Sequence, residues 1–65
     1  MESKKKLWIG TRVRVQPDHP DQHLRGRIGT IKQRYRDISY AAAFEVWFPD
    51  GQTQLFMDYE LEVAA

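Results

Sequence analysis

The chain has no cysteine among its 65 residues, which excludes a disulfide framework and a thiolate metal site and leaves the apolar core to hold the fold. Long apolar runs are missing too. Behind the charged start Met-Glu-Ser-Lys-Lys-Lys there is only Leu7-Trp8-Ile9, far short of a leader's apolar region or the roughly 20 residues of a membrane span. Neither a leader nor a membrane segment is expected, and with the missing cysteines this points to a reducing, cytoplasmic setting. The four glycines are isolated from one another, so no Gly-rich phosphate loop is present. Ser3 and Ser39, the two serines, fall in an arm and a loop with no patterned base, so a nucleophile is not expected either. A chain this short buries only about 60% of its unfolded surface. That leaves little room for a preorganised catalytic shell around a pocket of roughly 300–1,000 Å³. The expectation is a binding domain with no catalytic residue and no cofactor.

Charge of one sign is absent from half of the chain. Residues 1–36 hold all ten Lys and Arg against Glu2, Asp18 and Asp21, whereas residues 37–65 hold six acids and no Lys or Arg, a balance of +7 against −6. Separate surfaces of opposite sign would make the first half a nucleic-acid face. Interleaved strands would instead let the halves pair.

Residues 1–6 read as a solvated basic arm, and 7–65 as one domain. Arg12-Val13-Arg14-Val15 alternates charge with valine and predicts a half-buried strand. Gln16 to His23 contains two prolines, two aspartates and no apolar side chain, the composition of a surface loop. Strand composition returns from Arg27 to Tyr35, with Gly26 and Gly29 at its start marking a bulge or a close backbone approach. Arg36 to Tyr40 is a second connection. Ala43 to Phe48 is the clearest strand, with Phe44, Val46 and Phe48 on one face and Glu45 and Trp47 on the other. Pro49-Asp50-Gly51 closes a hairpin with Gln52 to Phe56. One 3₁₀ turn over Met57 to Glu60 and a last strand, Leu61 to Val63, complete an all-β reading: a five-stranded SH3-like barrel with a short 3₁₀ turn before its final strand. Strands spaced this closely leave no room for crossover helices.

The longest run of one sign is Arg25, Arg27, Lys32, Arg34 and Arg36. At period two, Lys32, Arg34 and Arg36 are expected to point the same way, with Tyr35, Tyr40 and Trp47 near enough to stack on bases while the cations neutralise phosphates. The bland reading is a solvated face balanced by Glu45, Asp58 and Glu62. Trp47 is expected on the outer face, either as a contact residue or as cover for a loop or terminus, a role also open to Trp8. His19 and His23 are four apart beside Asp18 and Asp21, but Pro20 forbids the helix that would converge them on one ion. They are read as ordinary loop histidines, and no metal site is expected. Asp58, Glu60 and Glu62 read as a polar strand edge.

Gly10-Thr11-Arg12-Val13-Arg14-Val15, followed by Leu24-Arg25-Gly26-Arg27-Ile28-Gly29-Thr30-Ile31, resembles the KOW motif of ribosomal and transcription-elongation proteins over residues 10–35. That resemblance implies RNA or ribonucleoprotein contact through the loop around Gln16 to Arg27 and the strand ending near Arg36. The whole domain, with Pro49-Asp50-Gly51-Gln52-Thr53-Gln54-Leu55-Phe56 and Glu60-Leu61-Glu62-Val63, also looks like small bacterial SH3-like proteins. It is similar as well to the variable chain of ferredoxin–thioredoxin reductase, which implies docking of the basic face on an acidic protein. Thr53-Gln54-Leu55-Phe56 is similar to the pore-lining stretch of the type II dihydrofolate reductases, which assemble four copies. Gln54 matches, but Phe56 lacks the tyrosine hydroxyl of that family.

The function these features favour is a non-catalytic module contacting RNA or DNA through Arg12, Arg14, Arg25, Arg27, Lys32, Arg34 and Arg36, with Tyr35 and Trp47 stacking or packing. The alternative is a protein-docking or self-assembling subunit, in the limit a homo-oligomer, using Trp47, Phe56 and the strand edges. A reductase-like oligomer ranks third.

Overall fold

A computed structural model describes residues 7–36 and 42–64. The N-terminal arm and most of the second connection, Tyr40 included, lie outside the described residues. Alternation of small apolar and charged side chains makes β1 (Arg12–Val15), which buries Val13 and Val15 completely. It is followed by β2 (Ile28–Arg36), β3 (Ala42–Trp47) and β4 (Thr53–Met57). A 3₁₀ turn, Asp58–Glu60, then leads into β5 (Leu61–Val63). Every expected strand is present, with ends shifted by a residue or so, and Arg36 belongs to β2 rather than to the connection after it.

All pairings are antiparallel and the order across the sheet is β4-β3-β2-β1-β5. The fold is all-β. Among the described residues β4 and β5 do not pair, so hydrogen bonding does not close the sheet into a barrel. The sheet nevertheless curls around one interior. Val13, Val15, Ile31, Phe44, Val46, Phe56 and Leu61, drawn from all five strands, join Leu7, Leu24 and Phe48 in a single buried cluster. A flat sheet could not bring its two edge strands to a common core.

Two glycines shape that curl. A Cβ on Gly29 would lie 2.6 Å from Val46 Cγ1 and 2.7 Å from the Trp47 carbonyl oxygen, so only glycine lets β2 approach β3 here. Gly51 sits at φ +91° in the β3–β4 hairpin, where its N–H donates to the Phe48 carbonyl and the Phe48 N–H donates to the Gln52 carbonyl, both at 2.9 Å. That is a three-residue loop with glycine in its left-handed position.

The loop after β1 corrects one expectation. His19 is not an ordinary surface histidine: it is buried, at 7% exposure. Its ring stands edge-on to Phe56 with centroids 5.8 Å apart. The Asp21 N–H donates to Nδ1 at 3.0 Å, which leaves Nε2–H as the donor to Glu60 Oε2 at 2.9 Å. The other carboxylate oxygen of Glu60 accepts the Met57 N–H at 2.7 Å. Glu60 is therefore a buttress between the loop and the 3₁₀ turn, not part of a polar strand edge. His23 is exposed, as expected.

Candidate functional site

In an antiparallel ladder, directly opposed residues share a face. Trp47 opposes Thr30 on one side and Thr53 on the other, and Thr30 opposes Arg12. Arg12, Thr30, Trp47 and Thr53 thus form one row across the outer face. A second row holds Gln33, Glu45 and Leu55, and a third Tyr35, Ala43 and Met57. Trp47 is half exposed while its neighbours Val46 and Phe48 are buried, which places it outside as the alternation predicts.

The expected common direction of Lys32, Arg34 and Arg36 is overturned. The β2–β3 register shifts between Ile31 and Gln33, and this bulge at Lys32 breaks the period of two. Lys32 stays outside, its Nζ 5.7 Å from the Trp47 ring centroid. Arg34 opposes Phe44 and swings to the core-facing side, where its guanidinium lies 5.4 Å over Trp8 and 6.0 Å over Phe44. Arg36 opposes Ala42 on that same side.

The other cations also divide. Arg14 pairs with Glu62 at 3.4 Å across β1 and β5. Arg27 pairs with Asp50 at 2.9 Å and lies 4.2 Å over the Phe48 ring. The Asp50 carboxyl is held below the usual aspartate range by the Gln52 N–H and, after the opposing effect of burial, by the Arg27 guanidinium. Arg25 spends its Nε–H on the His19 carbonyl. Cross-strand pairing thus accounts for Arg14 and Arg27, whereas Arg12, Lys32, Arg34 and Arg36 form no ion pair among the described residues.

Glu45 was not anticipated as a site residue. It pairs with no cation among the described residues; it accepts the Trp47 Nε1–H at 2.6 Å on one oxygen and the Tyr35 hydroxyl at 3.1 Å on the other. One carboxylate thereby sets the directions of two exposed rings. The hydrogen bond to that carboxylate, then burial and its charge, hold the Tyr35 phenol above its ordinary range. The signal was legible in part: Glu45 precedes Trp47 by two on one strand, so both had to share a face. On one side of this aromatic pair Arg12, Thr30, Lys32, Trp47 and Pro49 line a groove of about 330 Å³. On the other, Tyr35, Glu45, Thr53, Gln54 and Leu55 line a shallow one of about 500 Å³. The arrangement offers flat rings, hydroxyls and two cations on an open surface. No group of three or more potential metal ligands occurs among the described residues, and no helix there is long and apolar enough to cross a membrane.

Comparison of the chain with protein-family models, with curated proteins and with solved structures yields no match.

Proposed function

We propose that this domain is an SH3-like, non-catalytic binding module that takes single-stranded nucleic acid, RNA or DNA, on the outer face of β2, β3 and β4. The observation that carries the reading is the pair of exposed rings, Tyr35 and Trp47, oriented by Glu45 and flanked by Arg12 and Lys32, which form no ion pair among the described residues. Bases stack on the rings and phosphates meet the cations. Stacking tolerates sequence because every base has a π-face. Arg34 and Arg36, turned to the other side of β2 by the bulge, lie off this face. Arg14, Arg25 and Arg27 support the fold rather than the ligand, since each is already engaged within the chain.

The same cations suit an acidic protein surface, the alternative partner, but the two exposed rings favour bases. Phe56, assigned to a protein interface in that alternative and to a pore wall in the reductase reading, is 1% exposed and is not available for either.

The test is a titration of ¹⁵N-labelled protein with a mixed single-stranded RNA pool at low salt. Shifts are expected at Arg12, Lys32, Tyr35 and Trp47, including the indole N–H, and added salt should reverse them. For single strands log K falls by about 0.7 per phosphate contact per log unit of salt, so the slope should be about −1.4 for the two cations of this face, Arg12 and Lys32. A spectrum without shifts, or binding indifferent to salt, overturns the proposal.

A further inference from the structure

The two edges of the sheet differ. β5 offers three residues with a charge at Glu62, the short, charged kind of edge that resists pairing with another chain. β4 reads Thr-Gln-Leu-Phe-Met over five residues, with no charge, no proline and an unbroken register to β3.

The phase of β4 follows from two hydrogen bonds. The Phe48 N–H donates to the Gln52 carbonyl across the hairpin. Counting from there, Gln54 and Phe56 turn their backbone groups toward β3, while Thr53, Leu55 and Met57 turn theirs outward. Met57 agrees, because its N–H goes to Glu60 Oε1 and not to β3. The outward groups of Thr53 and Leu55 have no hydrogen-bond partner among the described residues. Leu55 is also 56% exposed.

We propose that a second copy of this chain occupies the β4 edge, antiparallel, with the two-fold axis passing through Gln54. In that register Thr53 faces the partner's Leu55 and Leu55 faces the partner's Thr53. Each is a hydrogen-bonded pair, giving four main-chain bonds in all. Gln54 meets the partner's Gln54, and a primary amide complements itself because it both donates and accepts. Leu55 is covered by the methyl of the partner's Thr53. Met57 stays outside the paired stretch, so its bond to Glu60 survives. An uncharged, self-complementary edge suits an identical strand better than a charged partner. The axis stands normal to the sheet, so both outer faces point the same way and two aromatic platforms join on one ten-stranded surface. The inference rests on the β4 edge alone and holds whether or not nucleic acid binds.

Sedimentation velocity from about 10 μM to about 1 mM, the range suited to a small interface, tests it. A reversible monomer–dimer equilibrium is expected, with amide exchange at Thr53 and Leu55 slowing as concentration rises. Leu55→Lys and Gln54→Glu should each weaken the dimer at least about tenfold while leaving the far-ultraviolet circular dichroism unchanged. The dimer of Gln54→Glu should return below about pH 4, where the new carboxyl is protonated. A monomer at the highest concentration, or a dimer that both variants leave intact, overturns the proposal.

Discussion

The loop that folds onto the 3₁₀ turn and the outer face of β2 to β4 are both built around a glutamate that accepts two hydrogen bonds, and they put it to opposite use. Glu60 takes a buried imidazole and a backbone N–H; its ring partner is sealed against Phe56 and serves the fold. Glu45 takes a phenol and an indole whose rings remain about half exposed. The difference is burial. A polar group under the surface must be paired or it costs stability, so the interior network is complete, with no buried side-chain N or O left without a partner among the described residues. On the outer face the same kind of bond saves no desolvation cost and instead fixes where two flat apolar surfaces point.

The largest effect should come from breaking the buried half. His19→Ala removes two hydrogen bonds and an aromatic contact, and should cost about 2–4 kcal/mol, lowering Tm by roughly 10–25 °C. Thermal denaturation reads the loss. RNA affinity measured well below the new Tm should stay within about twofold. A folded His19→Ala protein that has lost binding would break the comparison, because the loop would then belong to the site.

The exposed half should respond in reverse. Trp47→Ala should weaken single-stranded RNA binding by about 1–3 kcal/mol, roughly 5- to 150-fold, the usual worth of one stacked base. Stability should change by less than about 1 kcal/mol, since the side chain is half outside. Fluorescence anisotropy of a labelled oligonucleotide and a urea melt measure the two quantities on the same samples. A Trp47→Ala protein that unfolds would make the ring structural and void the contrast.

The smallest effect lies in the pH dependence of surface pairs. The folded Asp50 carboxyl titrates below its unfolded value, so its contribution is present above about pH 4 and lost as pH falls through the lower folded value. Asp50→Asn should flatten that acid limb of the stability curve, measured by denaturant midpoint against pH, and leave RNA binding at neutral pH unchanged. The folded Tyr35 phenol titrates above its unfolded value; its contribution is present below about pH 10 and lost only at higher pH. An Asp50→Asn curve superimposable on the wild type would mean that the Arg27 pair adds nothing to stability.

Much of the fold was legible along the chain. Arg12-Val13-Arg14-Val15 states its burial by alternation, and Pro49-Asp50-Gly51 states its turn by the one left-handed residue the loop needs. The exposure of Trp47 followed from the burial of Val46 and Phe48 on either side of it. Lys32, Arg34 and Arg36 were misread because one extra residue in a strand inverts every later side chain, and nothing local marks Lys32 as that residue. His19 was misread because its partners, Glu60 and Phe56, lie 41 and 37 positions away.

By itself the sequence determined the kind of structure: antiparallel strands in a chain with no disulfide, a hairpin turn at Pro49-Asp50-Gly51 and a basic first half. These are local matters, settled by the two-residue period of a strand and by the φ that each residue type tolerates. The tertiary structure decided which charges remain available. Arg14 found Glu62 from 48 positions away, Arg27 found Asp50, and Glu45 turned to two rings rather than to a cation. Those choices depend on strand register and on distances of a few ångströms, and side-chain hydrogen bonds and ion pairs fall away over that range, so composition alone could not tell Arg12 and Lys32 from the cations already engaged.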